Sequence, residues 1–354
     1  MSGREDAPSS RGRVGQPKGW GETTAGILLR RREPVLALLI LCLLGVVGLR
    51  APIFLTPGSI DAVLTDTSIL AMLALGQMMV ILTRGIDLSV ASNLALTGMA
   101  VALLSRVHPE LPTVFVLALA VLIGLALGAV NGVLVAVVRL PPIVVTLGTL
   151  SVYRGTIFVL SDGAWISSHE MTEAFRAFPL ERFAGLTHLL WLAVLAVAAA
   201  AFFLNRTRWG RELYAVGGNP VAARYVGVPV ERREFLVYCL SGAIAGLCGY
   251  LWVARYAIAY TEIAYGFELT VIAACVIGGV SIAGGIGTVT GTVLGALFLG
   301  VINNALPVID VSPFWQTAIA GAVILAAVVV NSRSEAQKGK RILRNAQVAG
   351  GAGS

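Results

Sequence analysis

Residues 69–104 read ILAMLALGQMMVILTRGIDLSVASNLALTGMAVALL, in which two apolar runs flank the polar segment TRGIDLSVAS at 83–92. A helix needs about 20 apolar residues to cross a bilayer, and runs of similar length recur along the 354-residue chain. The composition is 57% hydrophobic and 13% charged, whereas a soluble domain is about one quarter charged. The sequence therefore predicts an all-α, polytopic membrane protein.

About ten membrane-spanning helices are predicted, some of them broken or re-entrant. The expected segments are 34–50, 61–82, 88–105, 112–138, 142–160, 187–204, 234–255, 267–283, 287–306 and 313–331. The least regular parts are 83–92 and the glycine-rich 278–291. The membrane domain would thus occupy 34–331, between a disordered polar tail at 1–33 and a second tail at 332–354.

Basic residues orient the predicted spans, because Lys and Arg concentrate in cytoplasmic loops. With both termini on the cytoplasmic side, twenty Lys and Arg residues lie inside and six outside. This orientation makes 205–235 a cytoplasmic loop and 161–186 an external loop.

Several other function classes lack their motifs in the sequence. The net charge of +7 is explained by basic loops, so no nucleic-acid partner is expected. Neither the four cysteines nor the three histidines have the spacing of metal ligands. There is no GxxxxGK[ST] phosphate loop, no Ser/His/Asp arrangement and no paired carboxylates. We expect no enzyme activity, no metal and no cofactor bound by this chain.

The cytoplasmic loop contains a short helix with a signal at each end. Gly217 and Gly218 break the chain, Asn219 is a good N-cap, and Pro220 suits the first helical position. Gly227 suits the position after the helix, and Pro229 blocks its continuation. A helix of two turns is too short to be stable alone in water. It therefore needs a partner, which is either its own membrane domain or a second protein.

The surrounding stretch TRWGRELYAVGGNPVAARYVGV at 207–228 resembles the coupling loop of the ribose-type monosaccharide ABC permeases. Three further segments agree with that family in order, at 76–92, 131–155 and 273–306, so the resemblance covers about residues 35–331. Ala91 departs from the family's usual GIDLSVGS, which puts the backbone geometry there in doubt. The resemblance leans toward the rhamnose-like or autoinducer-2-like branch.

The resemblance implies the permease subunit of a binding-protein-dependent importer in the bacterial cytoplasmic (inner) membrane. Its partners would be an ATPase subunit that binds ATP and Mg, an extracytoplasmic sugar-binding protein, a second permease copy or paralogue, and membrane lipid. Coupling to the ATPase would involve Gly210, Arg211, Gly217, Gly218, Asn219, Pro220, Ala222, Ala223, Arg224 and Gly227.

Polar residues at membrane depth must be paired or face a water-filled path, so they are candidates for the translocation path. They are Gln77, Asp87, Ser89, Asn93, Asn131, Thr146, Thr149, Tyr153, Glu268, Asn303 and Asn304. Amides and hydroxyls suit a neutral sugar, but each residue could instead make an interhelical hydrogen bond.

Two other kinds of transporter remain open at this point. A related ABC permease could carry branched-chain amino acids. An ion-coupled secondary transporter could use Asp87 and Glu268, but it would leave the short cytoplasmic helix unexplained.

The segment TRGIDLSVAS has two interpretations. Arg84 is expected at the cytoplasmic edge, with Asp87 or Ser89 as the N-cap of the next helix. The segment is then either an ordinary edge turn or a broken element that lines the path.

Overall fold

The computed structural model describes residues 32–309 together with Trp315, Ala318, Gly321 and Ala322. The helices are α1 Arg32–Arg50, α2 Pro57–Leu82, α3 Val90–Val107, α4 Thr113–Gly132, α5 Pro142–Ser161, α6 Glu173–Ala177, α7 His188–Arg206, α8 Arg208–Gly218, α9 Pro220–Tyr225, α10 Val230–Tyr256, α11 Phe267–Ile277 and α12 Val289–Val308. A π-helical turn at Val133–Val137 extends α4, and 3-10 turns lie at Pro52–Leu55 and Ser168–Glu170. The strands β1 Arg182–Phe183 and β2 Leu186–Thr187 form a small antiparallel ribbon.

Eight helices in the described part of the chain are long and apolar enough to cross a membrane. They are α1, α2, α3, α4 with its π-turn, α5, α7, α10 and α12, and they confirm an all-α polytopic fold. The predicted span 313–331 and the predicted tails lie outside the described residues, apart from four positions in that span and the first two residues of α1.

The predicted span 267–283 is a helix over only part of its length. The helix α11 has 11 residues, about 16 Å at 1.5 Å per residue, which is half of the hydrocarbon thickness. The chain then turns through 278–287, where Gly279, Gly284 and Gly285 have positive φ. Alanine or a larger residue at these positions would be strained, so the glycines end the helix and make this a broken element.

The central helix is α10, which packs against α2, α3 and α4. Its contact with α4 is made by backbone: a Cβ on Gly242 would overlap the carbonyl oxygen of Gly124 and come within 2.7 Å of the Gly128 Cα. Helices in lipid gain little from burying apolar surface, so small residues that allow such close approach supply much of the association.

Threonine side chains fix where several helices begin. The Oγ1 of Thr187 accepts a hydrogen bond from Leu190 N at 3.2 Å at the start of α7. The Oγ1 of Thr207 does the same for Gly210 N at 3.0 Å at the start of α8. Each bond satisfies an N–H that has no partner within the helix.

The bundle has two ends, which carry different connections. One end, which we call the knob end after the short helix α9 that projects there, holds the loop 83–89, the turn 138–141, α8, α9 and the turn 278–287. At this end Gly285 N donates to Leu82 O at 3.0 Å. The other end, called the opposite end, holds the connections 162–187 and 257–266. Ile166 and Ala259 join these two connections as an antiparallel bridge.

Gly242→Ala should destabilise the protein, because its methyl group would collide with α4. Overpacking of this kind costs about 1–3 kcal/mol. The measurement is thermal unfolding in detergent. Gly45→Ala in α1 is the control, since a Cβ there meets nothing within 4 Å and alanine favours a helix. Equal melting temperatures for Gly242→Ala and the wild type would contradict the proposed backbone contact.

Candidate functional site

The loop 83–89 is organised by the Asp87 carboxylate. Its Oδ1 accepts from the Ser89 N–H at 2.9 Å and from the Ser89 hydroxyl at 2.7 Å. Its Oδ2 accepts from the Ser241 hydroxyl of α10 at 3.4 Å. Ser89 occupies the N-cap position of α3, but its side chain makes no capping bond. Asp87 instead closes the turn that precedes the helix, so a carboxylate that is 3% exposed has three donors.

A chain of side-chain hydrogen bonds leads from this loop into α4 and α5. Asn131 Nδ2 donates to Ser89 Oγ at 2.7 Å. Thr149 Oγ1 in turn donates to Asn131 Oδ1 at 2.8 Å. Two helices and the loop are thereby joined through groups that would be costly if unpaired at membrane depth.

Two more side chains hold the backbone of the loop. The Gln77 side-chain amide is oriented so that both of its groups are bonded. Its Nε2 donates to the Asp87 carbonyl and its Oε1 accepts from the Asp87 N–H, each at 3.1 Å. Thr146 Oγ1 donates to Ile86 O at 3.0 Å. The irregular backbone at 86–87 therefore has polar partners from both α2 and α5.

The remaining buried candidates contact α4. Asn93 Nδ2 donates to Gly124 O at 3.1 Å, and Tyr153 OH donates to Leu127 O at 2.7 Å. Both bonds go to the backbone, so these residues fasten α3 and α5 to α4.

The structure thus buries eight of the eleven path candidates, Gln77, Asp87, Ser89, Asn93, Asn131, Thr146, Thr149 and Tyr153, each at most 7% exposed. Six of them bond to one another or to the backbone at 86–87, and Asn93 and Tyr153 bond to the backbone of α4. We call these eight residues the polar network. Within one chain they contact other protein groups, so direct contact with a substrate stays a prediction. The other three lie apart from the network: Glu268 is half-buried, Asn303 is exposed, and Asn304 donates to Gly300 O at 2.9 Å.

The short helix expected in 205–235 is present as α9. Asn219 Oδ1 accepts from Val221 N and Ala222 N at 3.1 and 3.0 Å, and Pro220 is the first helical residue. The helix ends at Tyr225, and Gly227 follows with φ +83°. Both end signals act as the sequence indicates.

Sequence reasoning missed the helix α8, which occupies most of the segment before α9 and ends at the glycine pair. Leu213 and Val216 are buried on its inner face. Glu212 is 6% exposed and accepts hydrogen bonds from Arg208 Nε at 2.7 Å and from Arg233 Nε at 2.5 Å. Thr207 as an N-cap and the spacing of Leu213 and Val216 were the available signals.

The electrostatics of Glu212 fix α8 to the start of α10. Burial acts to raise the pKa of the Glu212 carboxyl, but hydrogen bonds from Arg233 and Arg208 outweigh it and hold that pKa below its usual range. The carboxylate therefore stays charged at neutral pH. The Arg233 guanidinium also lies 5.0 Å from the centroid of the Trp209 ring.

The two faces of α9 differ in their contacts. Ala223 is 3% exposed and packs with Val216 and Val230. The outer face leaves Val221, Tyr225 and Val226 exposed by 59%, 88% and 79%. Such a pre-formed apolar surface on a short helix is typical of a protein-binding site. We call α9 with this outer face the knob.

The predicted coupling residues have distinct positions around the knob. Gly210 and Gly217 are buried at backbone contacts, the first against Leu204 of α7 and the second against Leu82. Arg224 donates to Glu231, and Ala223 is buried. Those that are exposed or partly exposed are Arg211, Gly218, Asn219, Pro220, Ala222, Arg224 and Gly227.

Comparison with known proteins identifies the family. Residues 59–328 match the family model described as branched-chain amino acid transport system / permease component. The chain belongs to this family of transport permeases. No solved structure matches the chain.

Curated relatives are similar over nearly their whole length. The ribose import permease protein RbsC of Escherichia coli K12 is 38% identical over 87% of this chain and 95% of its own. The autoinducer 2 import system permease protein LsrC of Enterobacter sp. strain 638 is 37% identical over 86% of this chain and 88% of its own. The LsrC protein of Photorhabdus luminescens is 33% identical over 87% of this chain and 92% of its own. The resemblance to ribose-type permeases is thereby confirmed.

Asp87→Asn should leave this permease folded but reduce transport by about tenfold or more, as expected when bonds to a charged group are replaced by neutral ones. Asparagine has nearly the same shape and can still accept from both Ser89 donors, so the change isolates the charge. Protein yield, elution volume and substrate uptake are the measurements. Asp162→Asn is the control, because Asp162 is exposed at the end of α5 with φ +51°, which asparagine tolerates. Full activity of Asp87→Asn would make 83–92 an ordinary edge turn.

Proposed function

We propose that this permease is the membrane subunit of an importer for a small sugar or sugar-like molecule, driven by a separate ATPase. The observation that carries the proposal is the knob: a capped helix whose inner face is held by its own domain and whose outer face is apolar and exposed. An ion-coupled transporter needs no such surface. ATP and Mg would bind to the partner ATPase. This chain would supply the translocation path and the helix that the ATPase moves.

The substrate class follows from the relatives. Those named above import ribose or autoinducer 2, which are both small polar molecules. The family description names branched-chain amino acids, so leucine is the second candidate. Carriers of a zwitterion and of a neutral sugar differ in the charge they must accommodate, which makes the two cases separable by experiment.

The knob end would face the cytoplasm of a bacterial cell, with both termini inside. Arg84 and Arg139 lie in turns at that end, close to the basic helices α8 and α9, which agrees with the positive-inside rule. The opposite end would face outward, where a sugar-binding protein would deliver its cargo. Its exposed connections carry Trp165 and Tyr265.

The path would form between two permease copies. The polar network is buried inside one chain, while the outward face of α5 exposes Gly148, Ser151 and Gly155. A Cβ on either glycine meets no atom within 4 Å, so a second helix could approach this face closely. The polar network would then hold the broken loop in place beside the path.

Uptake into proteoliposomes tests the function. The permease, the ATPase subunit and the binding protein are reconstituted together, and labelled ribose, autoinducer 2 and leucine are supplied with internal ATP. We expect ATP-dependent uptake of at least one of the two sugar-like substrates and none of leucine. Leucine uptake would make this an amino acid permease. Uptake driven by an ion gradient without the ATPase would place it among secondary transporters.

Val221→Asp combined with Tyr225→Asp should abolish association with the ATPase subunit, because two charges would be placed in an apolar contact. Both side chains are exposed, so the free permease should fold normally. Co-purification from detergent measures the association. The control is Phe183→Asp, exposed at the opposite end, which should leave the complex intact. A stable complex in the double variant would show that the ATPase binds elsewhere.

A further inference from the structure

Arg84, in the turn after α2, reaches the junction between α8 and α9. Its Nε donates to Gly217 O and its Nη2 donates to Gly218 O, both at 2.7 Å. These carbonyls belong to the last residues of α8 and have no partner within that helix. A cation at this end also interacts favourably with the helix dipole, and the planar guanidinium can bond two acceptors at once.

The same point joins three separate segments by backbone. Gly285 N donates to Leu82 O at 3.0 Å, and a Cβ on Gly217 would overlap both Leu82 O and Gly285 N. A Cβ on Gly284 would come within 2.5 Å of the Arg84 Cγ. We call the contacts among 82–84, 217–218 and 284–285 the Arg84 clasp. It brings both broken elements of the membrane domain, 83–89 and 278–287, against the base of the knob.

We propose that Arg84 is the positioning residue that couples movement of the knob to these two broken elements. The proposal rests on the proposed function, in which the ATPase moves the knob. The knob begins at Pro220, two residues after the second carbonyl that Arg84 holds. On its other side, Arg84 lies three residues before Asp87. A displacement of the α8–α9 junction is therefore transmitted to the loop that carries the polar network.

Arg84 can be removed while the turn that carries it is kept. Its φ of +69° is unfavourable for arginine and easily adopted by glycine. Arg84→Gly therefore favours the turn, while the Leu82–Gly285 bond and the contact at Gly217 remain. Arg84→Lys keeps the charge but cannot bond both carbonyls with a planar fork.

The chain offers a closely matched control. Arg139 also has a left-handed backbone, with φ +65°, and also lies at the knob end. Its side chain is 71% exposed, and among the described residues its ion pair is with Glu231, at 3.2 Å. Exposed ion pairs contribute little, so Arg139→Gly removes the same residue type from the same backbone conformation without touching the clasp.

The test is the number of ATP molecules hydrolysed per substrate molecule imported by the reconstituted complex. Labelled ribose and labelled autoinducer 2 are both supplied, and the ratio is measured for the one that the wild-type complex imports. Arg84→Gly should retain the ATPase subunit and hydrolyse ATP but raise this ratio roughly tenfold, since two charge-assisted bonds are lost. Arg84→Lys should give an intermediate ratio, and Arg139→Gly the wild-type ratio. A purely structural role would lower yield and melting temperature without changing the ratio.

Three results would overturn the proposal: an unchanged ratio in Arg84→Gly, an equal rise in Arg139→Gly, or loss of the ATPase subunit from Arg84→Gly. The last would mean that Arg84 serves folding or docking. Failure of the proposed function is separate, because the wild-type complex would then show no ATP-dependent uptake of ribose or autoinducer 2.

Discussion

The backbone contact between α4 and α10 is the constraint on which the rest of the structure depends. Gly124, Gly128 and Gly242 let the two helices approach until carbonyl and Cα atoms touch. No side chain could fill that space, and lipid offers little hydrophobic force to hold helices together. This approach sets the position of α10 beside α4, and hence puts the Ser241 hydroxyl within reach of Asp87. One of the three bonds to the Asp87 carboxylate thus depends on this close approach of the helices.

One backbone hydrogen bond links the two broken elements. Irregular backbone at membrane depth is tolerated only where protein or trapped water supplies the missing hydrogen bonds. The last turn of α2 leaves carbonyls free, and one of them, Leu82 O, accepts from Gly285 N of the second break. The other break is held at 86–87 by Gln77 and Thr146. A displacement of the turn at Gly285 would therefore remove the partner of Leu82 O at the start of the other break.

Local signals were readable from the sequence, and long-range contacts were not. The helix α9 was predicted because Asn219, Pro220 and Gly227 act within a few residues. The polar network was found in outline because polar groups at membrane depth must be paired. Its members face one another and not an open path. That orientation depends on how each helix is rotated about its axis, which cannot be inferred from polarity alone. The helix α8 was missed although Thr207 signals its start locally, whereas its bond to Arg233 of α10 could not be foreseen. Arg84 was expected at the edge, but its partners lie 133 and 134 residues away.

The helix α8 acts as a rigid connection, or strut, between the central helix α10 and the loop 83–89, because it is bonded to both. Near its middle, Glu212 is tied to Arg233 of α10, and at its end Gly217 and Gly218 are tied to Arg84. The strut is about 16 Å long, and its buried ion pair resists bending at the first of these attachments. A force on the knob cannot be absorbed by a flexible loop, since α9 follows α8 with only Asn219 between them. It must either break the Arg84 clasp or carry the loop 83–89 with it, and the two backbone contacts at Gly217 favour the second.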